Sequence, residues 1–234
     1  MPVPWLDPHT IGFPDVDTAL DEPNGLLAAG GALTANWLLE AYPQGIFPWF
    51  SEGDPILWWA PDPRLVLYPE HLRVSRSLRK FVKNNPYELY INRDFEAVIT
   101  HCGATREQST GTWITPDMAA AYNELHRLGF AHSVEVWEDD TLVGGLYGVA
   151  VGKVFFGESM FSRVTNASKL ALVGLVQQLK DWQFELIDCQ ISSEHLVSLG
   201  AEEISRAQFR DILQRASQGA ETEPWPLMHH LVLV

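Results

Sequence analysis

Two short segments carry polar side chains where apolar ones would be expected. In LIDCQ, residues 186–190, Asp188 and Gln190 interrupt Leu186, Ile187 and Cys189. In FFGESMFS, residues 155–162, Glu158 stands among Phe155, Phe156, Met160 and Phe161. Successive side chains of a strand point to opposite faces. Read that way, ELIDCQI, 185–191, puts Ile187, Cys189 and Ile191 on one face, expected to be core, and Leu186, Asp188 and Gln190 on the other. That second face is either wet or working. A buried carboxylate is costly unless it is paired, which marks Glu158 as a candidate site residue. Aromatic side chains gather in two further segments. GIFPWF, 45–50, sets Phe47, Trp49 and Phe50 in a turn fixed by Pro48, and GTWITP, 111–116, puts Trp113 just before a helix start.

The elements that must position these groups follow from the pattern. Residues 1–62 are rich in Pro, Gly and Trp. They predict turns, short strands and one helix from about Thr34, a good N-cap, to Ala41, stopped before Pro43. A boundary at Pro61–Pro63 separates a small N-terminal domain, 1–62, from a larger unit, 63–234. The larger unit reads as a strand at 64–69, a basic helix at 71–85, a strand at 87–92 and helices at 95–104 and 114–130. Two strands joined at Asp139-Asp140 follow, then a strand at 153–162, a long helix at 166–182 and the strand at 184–191. A short helix stopped by Gly200 and a last helix at 205–217 complete it. Helices on a central, mostly antiparallel sheet make an α+β fold.

Charge is unevenly spread. The 234 residues hold 16 Lys and Arg against 30 Asp and Glu, a net charge of −14. That balance argues against general nucleic-acid binding, which needs cations for phosphate contacts. Yet residues 1–70 hold a single basic residue, Arg64, while HLRVSRSLRKFVKNN, 71–85, holds five and no acid. On a helix Arg73, Arg76, Lys80 and Lys83 share one side with Arg79 at its edge, and Val74, Leu78, Phe81 and Val82 lie opposite. Such a helix is either an ordinary solvated face or a local dock for a polyanion. No apolar run reaches the roughly 18 residues of a membrane span, so no membrane partner is expected. MPVPWLDPHT lacks the features of a secretory signal. Cys102 and Cys189 have no metal-site spacing and read as reduced thiols of a cytoplasmic protein.

The order hairpin, strand, long helix, strand, short helix resembles the core of the GCN5-related N-acetyltransferases. Members that use acetyl-CoA hold its pyrophosphate on a glycine-rich strand-to-helix loop. The junction here, SRVTNASK at 162–169, has no glycine.

A closer resemblance rests on EPNGLLAAGGAL, GIFPWFSEGDPILWWAPDPR, GTWIT, AHSVEVW, LVGGLYGV, FFGESMFSR, NASK and LIDCQ, spread over roughly residues 10–215. By these the chain is identified as a member of the leucyl/phenylalanyl-tRNA–protein transferase family. The resemblance implies a small N-terminal domain followed by an acetyltransferase-like domain. It implies transfer of Leu or Phe from Leu-tRNA or Phe-tRNA to the N-terminal amine of proteins beginning with Arg or Lys, marking them for N-end-rule degradation. It implies neither cofactor nor metal, and a monomer. Residue by residue, it sets Trp49, Trp113 and Phe155 around the Leu or Phe side chain, with Leu146 nearby and Leu175 where the family carries an aromatic. Glu158, Asp188 and Gln190 match its polar site residues, and Arg76, Arg79, Lys80 and Lys83 its tRNA-contacting helix.

An aminoacyl ester is already activated, and an α-amine with an ordinary pKa of about 7.7–8.0 is partly neutral at cell pH. Near-attack geometry then supplies much of the rate. The Gln190 amide oxygen is expected to accept an N–H bond from the amine. Asp188 is expected to orient that amide or help the proton leave, and Glu158 to meet a cationic group of either substrate. Two rivals are an acyl-CoA N-acyltransferase, disfavoured by the glycine-free junction, and a non-catalytic binder of N-terminal residues, which has no use for a basic helix.

Overall fold

The computed structural model describes residues 3–107, 113–217, 225–226 and 229–233, so Gly111 and Thr112 of the GTWIT segment lie outside the described residues. The apolar segments sort onto two sheets. β1 (Trp5–Leu6), β2 (Leu26–Gly30), β3 (Phe47–Pro48) and β4 (Leu57–Trp59) form the smaller, in the order β1-β2-β4-β3. Helix α1 (Ala35–Ala41) lies between β2 and β3 in the chain. As expected, Thr34 caps it, with its hydroxyl accepting the Trp37 N–H.

The larger sheet is built from β5 (Arg64–Leu67), β6 (Glu88–Ile91), β7 (Ala131–Glu138), β8 (Thr141–Val151), β9 (Val154–Ser162), β10 (Leu186–Gln190), β11 (Glu202–Ile204) and β12 (His229–Leu231). Its order is β11-β5-β10-β9-β8-β7-β6-β12. β9 and β10 pair parallel; the other neighbours are antiparallel. β11 and β12, three residues each, were not anticipated. The remaining helices are α2 (Arg76–Asn84), α3 (Phe95–Glu107), α4 (Pro116–Arg127), α5 (Ala167–Asp181), α6 (Glu194–Ser198) and α7 (Arg206–Ser217). The hairpin β7–β8, then β9, α5, β10 and α6, is the acetyltransferase-like order the sequence implied.

Strand alternation divides the core between the two faces of this sheet. On one face α5 buries Leu170, Leu172, Leu175, Val176 and Leu179 against Val134, Leu146, Phe155 and Ile187. Each such aliphatic side chain contributes about 1.5–3 kcal/mol on burial. On the other face α3 and α4 pack Val98, Ile99, Met118 and Tyr122 with Trp37, Leu38 and Tyr42 of the N-terminal segment and Phe209 of α7.

The basic helix is shorter than its charge pattern suggested. Ser75 is extended and its hydroxyl accepts the Leu78 N–H, so α2 begins at Arg76. Arg73 therefore precedes the helix. Its N–H donates to the Leu199 carbonyl, which holds the entering chain against the segment that follows α6.

Candidate functional site

The site lies where β9 and β10 part. Their pairing runs from Leu186 opposite Val154 to Asp188 opposite Phe156 and goes no further. Both strands carry a bulge just beyond that point. On β9, Tyr147 opposes Ser159 and Gly148 opposes Gly157, leaving Glu158 as the extra residue. On β10, Asp188 opposes Val66 and Gln190 opposes Leu65, leaving Cys189 extra. A bulge re-aims side chains and ends regular alternation. Gly148 makes the β9 bulge possible: a Cβ there would lie 2.1 Å from the Phe156 carbonyl oxygen. Gln190 adopts a left-handed backbone, φ 65°, a conformation of order 1–3 kcal/mol costlier for a non-glycine residue.

These bulges correct the simple two-face reading of ELIDCQI. Ile187 is core, but Cys189 is only half-buried and Ile191, past the strand end, is 46% exposed. On the opposite face Leu186 and Asp188 are completely buried, and Gln190 is half-buried at the cavity.

A cavity of about 490 Å³ opens at the split. It brings together Trp49, Trp113, Leu146, Phe155, Glu158, Leu175, Asp188 and Gln190, which are the catalytic and substrate-pocket candidates read from the sequence. Phe47, Met160, Leu172 and Leu196 add further apolar wall. Trp49 comes from the turn that joins β3 to β4, pinned by its N–H to the Leu57 carbonyl and by the Trp59 indole donating to its own carbonyl at 2.6 Å.

The polar end of the cavity is a buried network. Glu158 Oε1 accepts from the Tyr42 hydroxyl at 2.8 Å and from Gln190 Nε2 at 2.9 Å, while Oε2 accepts from the Tyr122 hydroxyl at 3.0 Å. The two tyrosine hydroxyls also touch each other. Two hydroxyl protons are thus shared among three oxygen–oxygen contacts. Burial pushes the Glu158 carboxyl up to about 7, against the lowering effect of its tyrosine donors. Burial raises both tyrosines far above their ordinary range, with the Glu158 charge adding to the rise. Burial also pushes the Cys189 thiol up, so it stays protonated and is no activated nucleophile.

Asp188 sits in a second, adjoining pair. Arg64 reaches it with a two-pronged grip, Nε to Oδ1 at 2.8 Å and Nη2 to Oδ2 at 2.7 Å, with both side chains buried. Oδ1 also accepts the Gln190 backbone N–H at 2.9 Å. Asp188 therefore meets Gln190 through its backbone, whereas the side-chain amide goes to Glu158. The sequence reading missed Tyr42, Tyr122 and Arg64. One signal for Arg64 was present: a lone cation opening an apolar strand, RLVL, with every residue buried.

The basic helix stands apart from this cavity. Arg76, Arg79, Lys80 and Lys83 are exposed and line a shallow concavity of their own with Ser77 and Asn84. None of the four forms an ion pair among the described residues. Among the described residues no helix is long and apolar enough to cross a membrane.

The element order and the cavity between splayed parallel strands define an acetyltransferase-like α+β protein. Models of the leucyl/phenylalanyl-tRNA protein transferase family match residues 66–214, and those of its N-terminal domain match 31–62. The leucyl/phenylalanyl-tRNA–protein transferase of Nitrosospira multiformis is 56% identical over 98% of this chain and 99% of its own. That of Cellvibrio japonicus is 53% identical over 97% and 96%, and that of Pseudomonas aeruginosa 58% over 90% and 93%. The chain belongs to the leucyl/phenylalanyl-tRNA–protein transferase family, and it is an aminoacyl-tRNA–protein transferase. A GCN5-related N-acetyltransferase from Kribbella flavida is 15% identical, with a TM-score of 0.38 over 73% of this chain and 60% of that one, too distant to add to the topology.

Proposed function

We propose that the protein transfers Leu or Phe from Leu-tRNA or Phe-tRNA to the N-terminal α-amine of proteins beginning with Arg or Lys, marking them for N-end-rule degradation. The observation that carries this reading is one cavity that joins an apolar wall to a polar end, where Gln190 Nε2 is engaged by Glu158. Trp49, Trp113, Leu146, Phe155 and Leu175 hold the donor side chain by shape and dispersion. With its nitrogen engaged, the Gln190 amide turns its oxygen to the incoming amine. The amine attacks the ester carbonyl carbon, the carbon–oxygen bond to the terminal ribose breaks, and the amine's proton ends on the ribose oxygen. Asp188 holds the Gln190 backbone rather than moving the proton. Glu158 fixes the amide and, when ionised, offers a carboxylate to the acceptor's cationic end.

Arg76, Arg79, Lys80 and Lys83 bind tRNA phosphates. Their exposure and freedom from ion pairs support that role. The glycine-free junction at 162–169 favours an ester donor over a coenzyme A thioester. The reduced thiols Cys102 and Cys189 suit the cytoplasm, where we infer that the protein works as a monomer without cofactor or metal. The division between an N-terminal domain, 1–62, and a catalytic one, 63–234, belongs to the same reading. The test is to supply labelled Leu-tRNA together with two model proteins that differ only in beginning with Arg or Met. Label on the Arg protein alone is expected; equal labelling of both refutes the acceptor assignment.

A further inference from the structure

We propose that Arg64 is a positioning residue for the transfer reaction, holding Gln190 in its working conformation through Asp188. The inference rests on the reading of Gln190 given above. It begins from the Gln190 backbone, which is left-handed at φ 65° next to an extra residue in the strand. Such a backbone needs an outside hold, and the hold is the Asp188 Oδ1, which accepts the Gln190 N–H at 2.9 Å. Asp188 can rotate about its own side-chain bonds unless something fixes it. Arg64 fixes it by binding both oxygens at 2.8 and 2.7 Å.

Arg64 is itself immobilised in a third direction. Its guanidinium lies over the ring of Phe47, 4.8 Å from the centroid, and over that of Phe209, 4.7 Å from the centroid. Phe47 is at the same time a wall of the cavity. The sandwich closes because the chain turns tightly at Gly45, φ 76°, where a Cβ would stand 3.0 Å from the Phe209 ring. A ring from β3, a cation from β5, a carboxylate from β10 and a ring from α7 thus form one fixture that ends at the Gln190 N–H. A planar fork is required, because an ammonium cannot bind two oxygens in parallel and stack between two rings. The N-terminal segment thereby takes part in positioning the site through Phe47.

The test is a double-mutant cycle on the full chain, with donor KM and kcat measured separately and folding checked by circular dichroism. Arg64→Lys is expected to lower kcat about 10²-fold while KM for Leu-tRNA moves less than about threefold. In a Gln190→Ala background the same substitution is expected to cost no further activity, because its effect passes through Gln190. A purely structural role gives the same fold-loss in both backgrounds, and that result overturns the proposal, as does a folded Arg64→Lys with normal kcat. If Arg64→Lys does not fold, Phe209→Leu, which removes one face of the sandwich, enters the same cycle under the same criteria. A Gln190→Ala enzyme with normal turnover refutes instead the reading on which this one rests.

Discussion

Charge is used in two opposite ways in this molecule. Around Glu158 and Asp188 every charged group is buried and engaged: by two tyrosines and an amide in one case, by an arginine fork in the other. Along α2 four cations stand in solvent without ion partners among the described residues. The first arrangement fixes atoms to within hydrogen-bond tolerance and is largely shielded from salt. The second fixes nothing and acts through its field, which salt weakens within about 10 Å at 0.1 M. A transferase that must seat one ester bond and dock a long polyanion needs both kinds. The difference teaches where sensitivity to substitution will lie: geometry at the split of the sheet, charge number on the helix.

The largest expected break in this comparison is Asp188→Ala. It leaves the buried Arg64 cation without its partner, so the unfolding free energy from denaturant titration is expected to fall by about 3–5 kcal/mol. Neutralising any single α2 cation is expected to change it by less than about 0.5 kcal/mol. Equal losses at the two regions would erase the distinction.

Glu158 sharpens the buried half through pH. Its carboxyl lies at about 7 in the folded protein against an ordinary 4.5. The folded chain therefore keeps a proton that the unfolded chain gives up above 4.5. Stability is expected to fall as pH rises from about 4.5 to 7 and to level off beyond, an effect of order 3 kcal/mol. Glu158→Gln carries an amide N–H in place of that proton, so the difference in stability between variant and parent should grow across the same window. A constant difference from pH 4 to 8 speaks against a buried, late-titrating Glu158.

On the helix, replacing Arg76 and Lys80 by Gln is expected to reduce the slope of log K for tRNA against log salt by about 2, one for each phosphate no longer neutralised. Filter binding from 50 to 200 mM salt reads it directly, and an unchanged slope removes these two residues from the dock.

The smallest effect concerns the apolar wall. Leu175→Phe narrows the cavity and is expected to shift discrimination towards Leu over Phe by about 1 kcal/mol, roughly fivefold in relative kcat/KM. A shift towards Phe would mean that Leu175 does not face the donor side chain.

How far the molecule could be read in advance follows the same division. The basic helix was legible because three- and four-residue spacing displays itself in sequence. Only its start was misjudged, since Ser75 takes the cap and leaves Arg73 outside. The long helix α5 was legible for the same reason, and the hairpin β7–β8 by the Asp139-Asp140 turn between two apolar runs. The site strands were read as regular, and they are not. Two one-residue bulges, at Glu158 and Cys189, turn the side chains in ways that alternation cannot forecast. Glu158, Asp188 and Gln190 were conspicuous because polar residues on apolar strands are unusual. Their partners were not. Tyr42 lies 116 residues from Glu158 and Arg64 lies 124 from Asp188, and nothing local announces either meeting. β11 and β12, at three residues each, are too short to show a period.

The most direct measurement compares two donors, charged Leu-tRNA and the minimal leucyl-adenosine ester, with the parent enzyme, Gln190→Ala and the Arg76/Lys80 double replacement. If the buried network performs the chemistry and the helix only docks tRNA, Gln190→Ala loses the same large factor in kcat/KM with both donors. The helix variant then loses activity with Leu-tRNA alone. Equal losses of the helix variant with both donors, or a Gln190→Ala defect confined to tRNA, would contradict that account.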